Sequence, residues 1–348
     1  MLILGIESTA HTFGVAILDD ARAGSDRVLA NCKRMATTEK GGLIPAKLAD
    51  HHEEIFDLVL AEAFEKASAA LGHPITWKEI GLIAVSDAPG IGHALRIGCA
   101  LARTLALRHR LSLVGVNHCI AHLEVASLMT DAKDPVLLYC SGANTQVIAY
   151  DGGKYRIFGE TLDTGVGNFL DTLAREMGLG FPGGPKIEQL ALACTTKESL
   201  LEIPYTVKGM DVAFSGILTN VTKKLKESAE TRAREGWSDE AIAYSVQEIV
   251  FAMLVEVAER AIAHCSKSEL VLGGGVACNK RLQEMCRLMC EDRGVKCYAP
   301  ENQFLVDNAA MIAWAGKLMF DAGVRSDPRS LAMKPYERTD DVLVTWRN

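Results

Sequence analysis

Apolar residues along the chain come in short runs broken by small polar turns, and the runs alternate with longer stretches of helical period. Residues 1–7 read as a buried strand, Ser8-Thr9-Ala10-His11 as a polar turn, and residues 13–18 as a second strand. Residues 27–37 close a meander, followed by a glycine-containing loop at residues 38–43. Pro45 suits the first turn of a long helix that runs to about Leu71 and stops at Gly72, His73 and Pro74. A strand at residues 81–86 ends in the turn signal Asp87-Ala88-Pro89-Gly90. Helix 93–110, strand 111–116 and a helix from His118 to about Met129 follow. This βββ-α-β-α-β-α order predicts an α/β layer with a mixed sheet.

The second half opens the same way. Residues 135–141 predict a strand, Gly142-Ala143-Asn144 a turn, and residues 145–150 and 155–160 two more strands. Helices and a β-containing insertion near residues 205–214 come next, then a helix at 238–264. Strand 269–272, helix 279–293, strand 296–299 and a last helix from Asp307 to about Ala322 complete the pattern. The shared order predicts duplication: a lobe of residues 1–131 and a lobe of residues 132–348, the last helix packing back on the first. Two such lobes enclose a cleft with two hairpin turns pointing into it, and open α/β layers bind ligands at such strand ends.

Composition narrows this little. A chain of 348 residues suits two domains, and nearly half of it is hydrophobic. Apolar runs fall short of the eighteen residues of a membrane span and the N-terminus lacks a signal-peptide pattern, so a cytoplasmic protein without membrane contact is expected. None of the ten cysteines forms a C-x-x-C pair, which disfavours a cysteine-ligated zinc site or a disulfide scaffold. A net charge of −7 argues against a protein that coats nucleic acid alone. Lys223, Lys224, Lys226, Arg232 and Arg234 form a candidate local basic patch, read equally as a solvated helix face.

Candidate chemistry lies in six places. His118 and His122 stand four apart after an apolar strand, so on a helix both imidazoles share a face and can reach one metal ion; packing or capping is the plain alternative. His51 and His52 are adjacent, hence about 100° apart on a helix, and read as interface or core-edge residues. Ser141 through Thr145 offers backbone N–H groups and hydroxyls to an anion. Gly273-Gly274-Gly275 ends a buried strand, with Asn279 placed as the cap of the next helix, and leaves bare backbone for a base or ribose. Asp171 and Glu188, beside glycine turns, read as capping acids or as acceptors for ribose hydroxyls. Asp307 sits at an N-cap position; it caps, or it completes a His/His/Asp metal site with Tyr139 as a further oxygen ligand.

Taken together these segments resemble one family along essentially the whole length: the universal tRNA threonylcarbamoyladenosine-forming transferases, of actin-like, sugar-kinase-like (ASKHA) two-lobe fold. The matching motifs are Gly5 through His11, Asn117-His118-x-x-Ala121-His122-x-Glu124, Ser141 through Thr145, Asp163 through Asp171, Pro182 through Pro185 with Glu188, and Gly274-Gly275-Val276-x-x-Asn279 with Asp307-Asn308. Lys208 through Gly216 looks like the archaeal and eukaryotic branch, which implies KEOPS subunits as partners, including a separate small atypical kinase. The resemblance implies His118, His122, Tyr139 and Asp307 as ligands of one divalent metal ion, iron by resemblance, with zinc and magnesium also suited to such donors. It implies Tyr139, Cys140, Ser141, Gly142, Ala143, Asp171, Gly184, Glu188 and Asn279 as contacts of an adenine nucleotide. One departure stands out: Ala143 replaces the usual second glycine of the phosphate turn, where a methyl group crowds the approach if φ is positive.

The implied reaction moves a threonylcarbamoyl group from threonylcarbamoyl-AMP to N6 of the adenosine 3′ of a tRNA anticodon. Glu7, His11 and Glu124 are unranked candidates for the general base. A zincin is disfavoured because Cys119, Ile120 and Ala121 separate the histidines where H-E-x-x-H needs its glutamate. A small-molecule kinase on the same fold, which leaves the histidine pair unexplained, and a non-catalytic ATP-dependent scaffold are the rivals.

Overall fold

A computed structural model describes residues 1–37, 44–196 and 200–347. The loop expected at residues 38–43 lies outside the described residues. Strands β1 (Leu2–Glu7), β2 (Thr12–Asp19) and β3 (Val28–Met35) form the first meander. They are followed by α1 (Pro45–Leu71), β4 (Ile80–Ala88), α2 (Gly92–His109), β5 (Ser112–Asn117) and α3 (His118–Met129). The second meander is β6 (Val136–Cys140), β7 (Thr145–Asp151) and β8 (Lys154–Glu160), then α4 (Val166–Glu176) and α5 (Gly184–Ala193). A short hairpin of β9 (Val207–Lys208) and β10 (Asp211–Val212) precedes α6 (Ser215–Leu225), α7 (Ala229–Arg234) and α8 (Asp239–Cys265). Then come β11 (Glu269–Gly273), α9 (Lys280–Arg293), β12 (Lys296–Tyr298), α10 (Asn302–Leu305) and α11 (Ala309–Asp321).

The two large sheets repeat one topology. The first has the order β3-β2-β1-β4-β5 and the second, read from its meander edge, β8-β7-β6-β11-β12. In each, the first strand pairs antiparallel with the second and parallel with the strand that returns after the helices. Period-2 alternation sends Leu4 and Ile6 to the α1/α2 side of the first sheet and Ile3 to the side of α3 and α11. The duplication expected from element order is therefore present as strand order and direction.

Helix α3 lies between the sheets. Its Ala121 and Val125 pack with the first, and its Cys119, Ile120 and Leu123 pack with Leu137, Tyr139 and Ile148 of the second. A helix apolar all round belongs in such a place. Helix α11 lies so close to β1 that a side chain on Gly5 would overlap the Ala309 carbonyl. Helix α8 is long and apolar enough to cross a membrane by length and composition alone, with a mean hydropathy of 1.6 over an eighteen-residue window. Yet 67% of that window is buried inside the molecule, as a core helix is.

Beyond α11 the chain has no strand or α-helix among the described residues and runs as a strap. Ser326 bridges Leu113, the Lys334 N–H donates to the Asp87 carbonyl (2.7 Å), and the Gly90 N–H donates to that of Pro335 (3.2 Å). The strap then crosses to the second sheet, where the Val344 N–H donates to the Gly153 carbonyl at 3.0 Å.

Candidate metal and nucleotide site

The site begins with how α3 starts. Asn117 ends β5 and its side-chain oxygen accepts from the N–H groups of Cys119 (3.1 Å) and Ile120 (3.4 Å), capping the helix. This makes His118 the first helical residue and puts His122 one turn on, on the same face, with ring centroids 4.8 Å apart. On the far side, the cap of α11 is Asn308, whose side chain accepts from Met311 N–H at 3.0 Å. Asp307 is therefore not the cap that its position suggested. Freed from that role, its carboxylate reaches His118 Nε2 (3.3 Å) and His122 Nε2 (3.5 Å).

His118, His122 and Asp307 each offer one donor atom, all within 4.8 Å of one another. Among the described residues neither ring nitrogen of His122 makes a hydrogen bond, although both are buried; Asp307 at 3.5 Å is an approach without hydrogen-bond geometry. Burying an unpaired polar nitrogen is costly, and three N/O donors converging on one point meet that cost by coordinating a cation. The residues thus fit a metal ion. Tyr139, at the end of β6 and buried, brings its ring centroid within 5.0 Å of that of His122.

Charge organises the group. Burial depresses His118, but the Glu7 and Asp307 carboxylates outweigh it, and its pKa ends well above the ordinary value. Burial lowers that of His122. For Asp307 burial works upward, yet the His118 charge and the imidazoles of both histidines close to its carboxylate hold the carboxyl well below the usual range. Glu7 Oε2 lies 3.0 Å from His118 Nδ1, while its Oε1 accepts from the Thr9 N–H (2.6 Å) and hydroxyl (2.5 Å). A carboxylate behind a ligating histidine fixes the ring and its tautomer.

Glu7 is thereby occupied. Glu124 is as well: two residues beyond His122 it points away from the site and accepts from Tyr155 Oη–H (2.5 Å) and Trp346 Nε1–H (2.6 Å). His11 is half-buried in the β1–β2 turn, edge-on to Phe181 at 5.8 Å. It lies within electrostatic reach of both Asp307 and Asp171.

The nucleotide candidates adjoin this centre. In the β6–β7 turn, Ser141 N–H donates to the Asn144 carbonyl (2.9 Å) and Gly142 and Ala143 are exposed. Among the described residues, Arg110 and Ser266 are the non-glycine residues with positive φ, so Ala143 escapes the strain its methyl group raised. Gly274, at φ +90°, lies so close that a side chain there would overlap the Cys140 carbonyl. Further along, Asp171 Oδ1 accepts from the Gly183 N–H (2.7 Å), beside Gly184, and burial raises its pKa. Glu188 Oε1 accepts from the Lys280 N–H at 2.9 Å. Asn279 caps α9 and donates to Gln247 Oε1 at 2.9 Å, so its side chain fixes the loop before α9. Lys33, which sequence reasoning missed, donates to the backbone carbonyl of Asp307 at 3.2 Å. A lysine on a half-buried edge strand was the available signal.

Two sheets of one topology, facing turns and a histidine–carboxylate centre between them define a duplicated actin-like fold with a candidate nucleotide and metal site. The family model described as TsaD, tRNA N6-adenosine threonylcarbamoyltransferase, matches residues 27–314, and the chain belongs to that family. The tRNA N6-adenosine threonylcarbamoyltransferase of Thermococcus sibiricus is 50% identical over 99% of this chain and 100% of its own. A probable bifunctional tRNA threonylcarbamoyladenosine biosynthesis protein of Methanothermobacter thermautotrophicus is 47% identical over 99% of this chain and 61% of its own. Among solved structures, HypF of T. kodakarensis superposes with a TM-score of 0.60 at 14% identity, over 91% of this chain and 47% of that one, a likeness of fold.

Proposed function

We infer that this protein is a transferase that forms threonylcarbamoyladenosine in tRNA. It takes the group from threonylcarbamoyl-AMP and delivers it to N6 of the adenosine 3′ of the anticodon, in tRNAs reading codons that begin with adenosine. The observation that carries this reading is the convergence of His118, His122 and Asp307 beside the bare backbone of Gly273–Gly275, in a chain of this family. A divalent ion, iron by family resemblance, would be held by those three residues with Tyr139, and when bound it supplies Lewis acidity toward carbamoyl or phosphate oxygens.

The remaining residues have separate tasks. Glu7 orients His118. The turn Ser141–Ala143, continuing from Cys140, and the Gly274 backbone receive the AMP phosphate, and Asp171, Gly184, Glu188 and Asn279 border the adenosine. The N6 amine adds to the carbamoyl carbon, the bond from that carbon to the phosphate oxygen breaks, AMP departs and N6 loses a proton. With Glu7 and Glu124 committed elsewhere, His11 is the candidate to receive it. We place the lobe boundary near residue 131, with α11 belonging to the first lobe, and the protein in the cytoplasm with KEOPS-type partners that include a separate kinase.

Incubating the chain, with and without such partners, with threonylcarbamoyl-AMP and unmodified tRNA tests the reading by nucleoside analysis. His118→Ala and His122→Ala are expected to lose bound metal and modification while staying folded. Full metal content and activity in both would refute the site.

A further inference from the structure

We propose that one face of α2, together with residues 325–336 of the strap, forms a cationic track that holds the tRNA backbone and leads to the site. This rests on the tRNA reading above and adds the surface that reading lacks. Arg96, Arg103 and Arg110, seven residues apart, share one side of α2, and residues 325–336 add Arg325, Arg329 and Lys334 against a single acid, Asp327, in a chain of net charge −7. The two segments run side by side. Ser326 bridges Leu113, Arg103 donates to the carbonyls of Pro328 (2.9 Å) and Arg329 (2.8 Å), and Gly90 meets Pro335.

Five of these six cations have no carboxylate partner among the described residues; Lys334 alone is paired, with Asp87 and Glu337. No ion pair joins the acidic α1 to α2 there either. Asp327 turns its oxygens to Arg329 N–H and the Ser330 hydroxyl. The basic cluster near residue 223 contrasts with this, since Lys224 pairs with Glu227 and Glu235, and Arg232 with Asp239. Unpaired cations at the surface are what counterion release from a phosphate backbone requires.

The track has direction. From Arg96 to Arg110 it spans about 21 Å at the rise of a helix. Its near end adjoins the site: Ile91 N–H donates to the Thr9 carbonyl (2.7 Å), and Asn117, the cap before His118, donates to the Glu337 carbonyl (3.5 Å). Tyr336, 93% exposed, stands at that end as a stacking platform for an unpaired base.

The test is titration of the full chain with fluorescently labelled, unmodified tRNA across a salt series, alongside modification kinetics. Arg96→Ala/Arg110→Ala/Arg329→Ala, all exposed positions, is expected to weaken binding about tenfold and to reduce the salt slope by about 2. kcat at saturating tRNA and KM for threonylcarbamoyl-AMP should hold, and Tyr336→Ala should raise KM for tRNA. Lys223→Ala/Lys226→Ala should leave binding unchanged. A triple variant with wild-type affinity and salt slope overturns the proposal. So does one that keeps both but no longer assembles with a protein partner, which would assign the track to an acidic protein surface. Wild-type chain that never modifies tRNA would instead refute the underlying reading.

Discussion

At the scale of single residues, the site works by commitment: each polar group near the histidines has one task. Glu7 spends both oxygens on Thr9 and His118, so Glu7→Gln should lower metal affinity about 10- to 100-fold with little change in melting temperature, read by metal titration. Two groups outside the site set opposite acid responses. Burial raises Asp87 to about 6, against the pull of Lys334. Burial lowers His52 to about 4, helped by His51, whose Nδ1 lies 3.2 Å from its own.

The signs follow from proton counts. Between about pH 4 and 6 the folded state binds more protons at Asp87 than the unfolded state, so stability falls as pH rises there. At His52 it binds fewer, so stability falls as pH drops from about 6.5 to 4. Each effect is about 3 kcal/mol and they oppose. Asp87→Asn should therefore become more acid-sensitive than wild type and His52→Gln less so, seen in denaturant unfolding at pH 4.5 and 6.5. Parallel pH profiles for all three proteins would contradict this. Much at this scale was readable beforehand, such as the shared face of His118 and His122. The sequence showed Asp307 beside a helix start but could not say that Asn308 takes the cap, because one residue of register decides it.

At the scale of elements, close packing sets the position of Asp307. Gly5→Ala would drive α11 off β1, with an expected cost of about 1–3 kcal/mol and a loss of metal affinity beyond that of unfolding, since Asp307 precedes the helix by two residues. Replacing the α11 cap, Asn308→Ala, should cost about 1 kcal/mol in thermal or denaturant unfolding. Strands and long helices were legible because alternation and helical period are local properties of the chain. Pro45 and Gly72 bracket α1 as expected. The short α10 and the strap were not legible, since their form comes from distant partners rather than from any period of their own.

For the whole molecule, element order announced two similar halves, and sheet order made the repeat explicit. The strap fastens them. Trp346 and Tyr155 both donate to the buried Glu124, and Val344 joins the apolar cluster between α3 and the second sheet. Removing residues 342–347 strips a donor from a buried carboxylate along with that packing, and should cost about 3–5 kcal/mol in denaturant unfolding. The loss should be shared by both lobes, visible as earlier proteolysis in each; an unchanged midpoint would show the strap to be passive.

The placement of α11 and the strap also fixes an order of events as the chain is made. The first sheet emerges early, yet the helix that covers one of its faces arrives some two hundred residues after the sheet's last strand. Until then the apolar side carrying Ile3, Leu82 and Val116 has only α3 to shield it, and exposed surface of that kind invites chaperones or self-association. The proposed metal-binding triad is subject to the same delay, because Asp307 is synthesised last of the three. A nascent chain thus holds its two histidines without their carboxylate, and ion capture becomes a late step that reports completion of the fold.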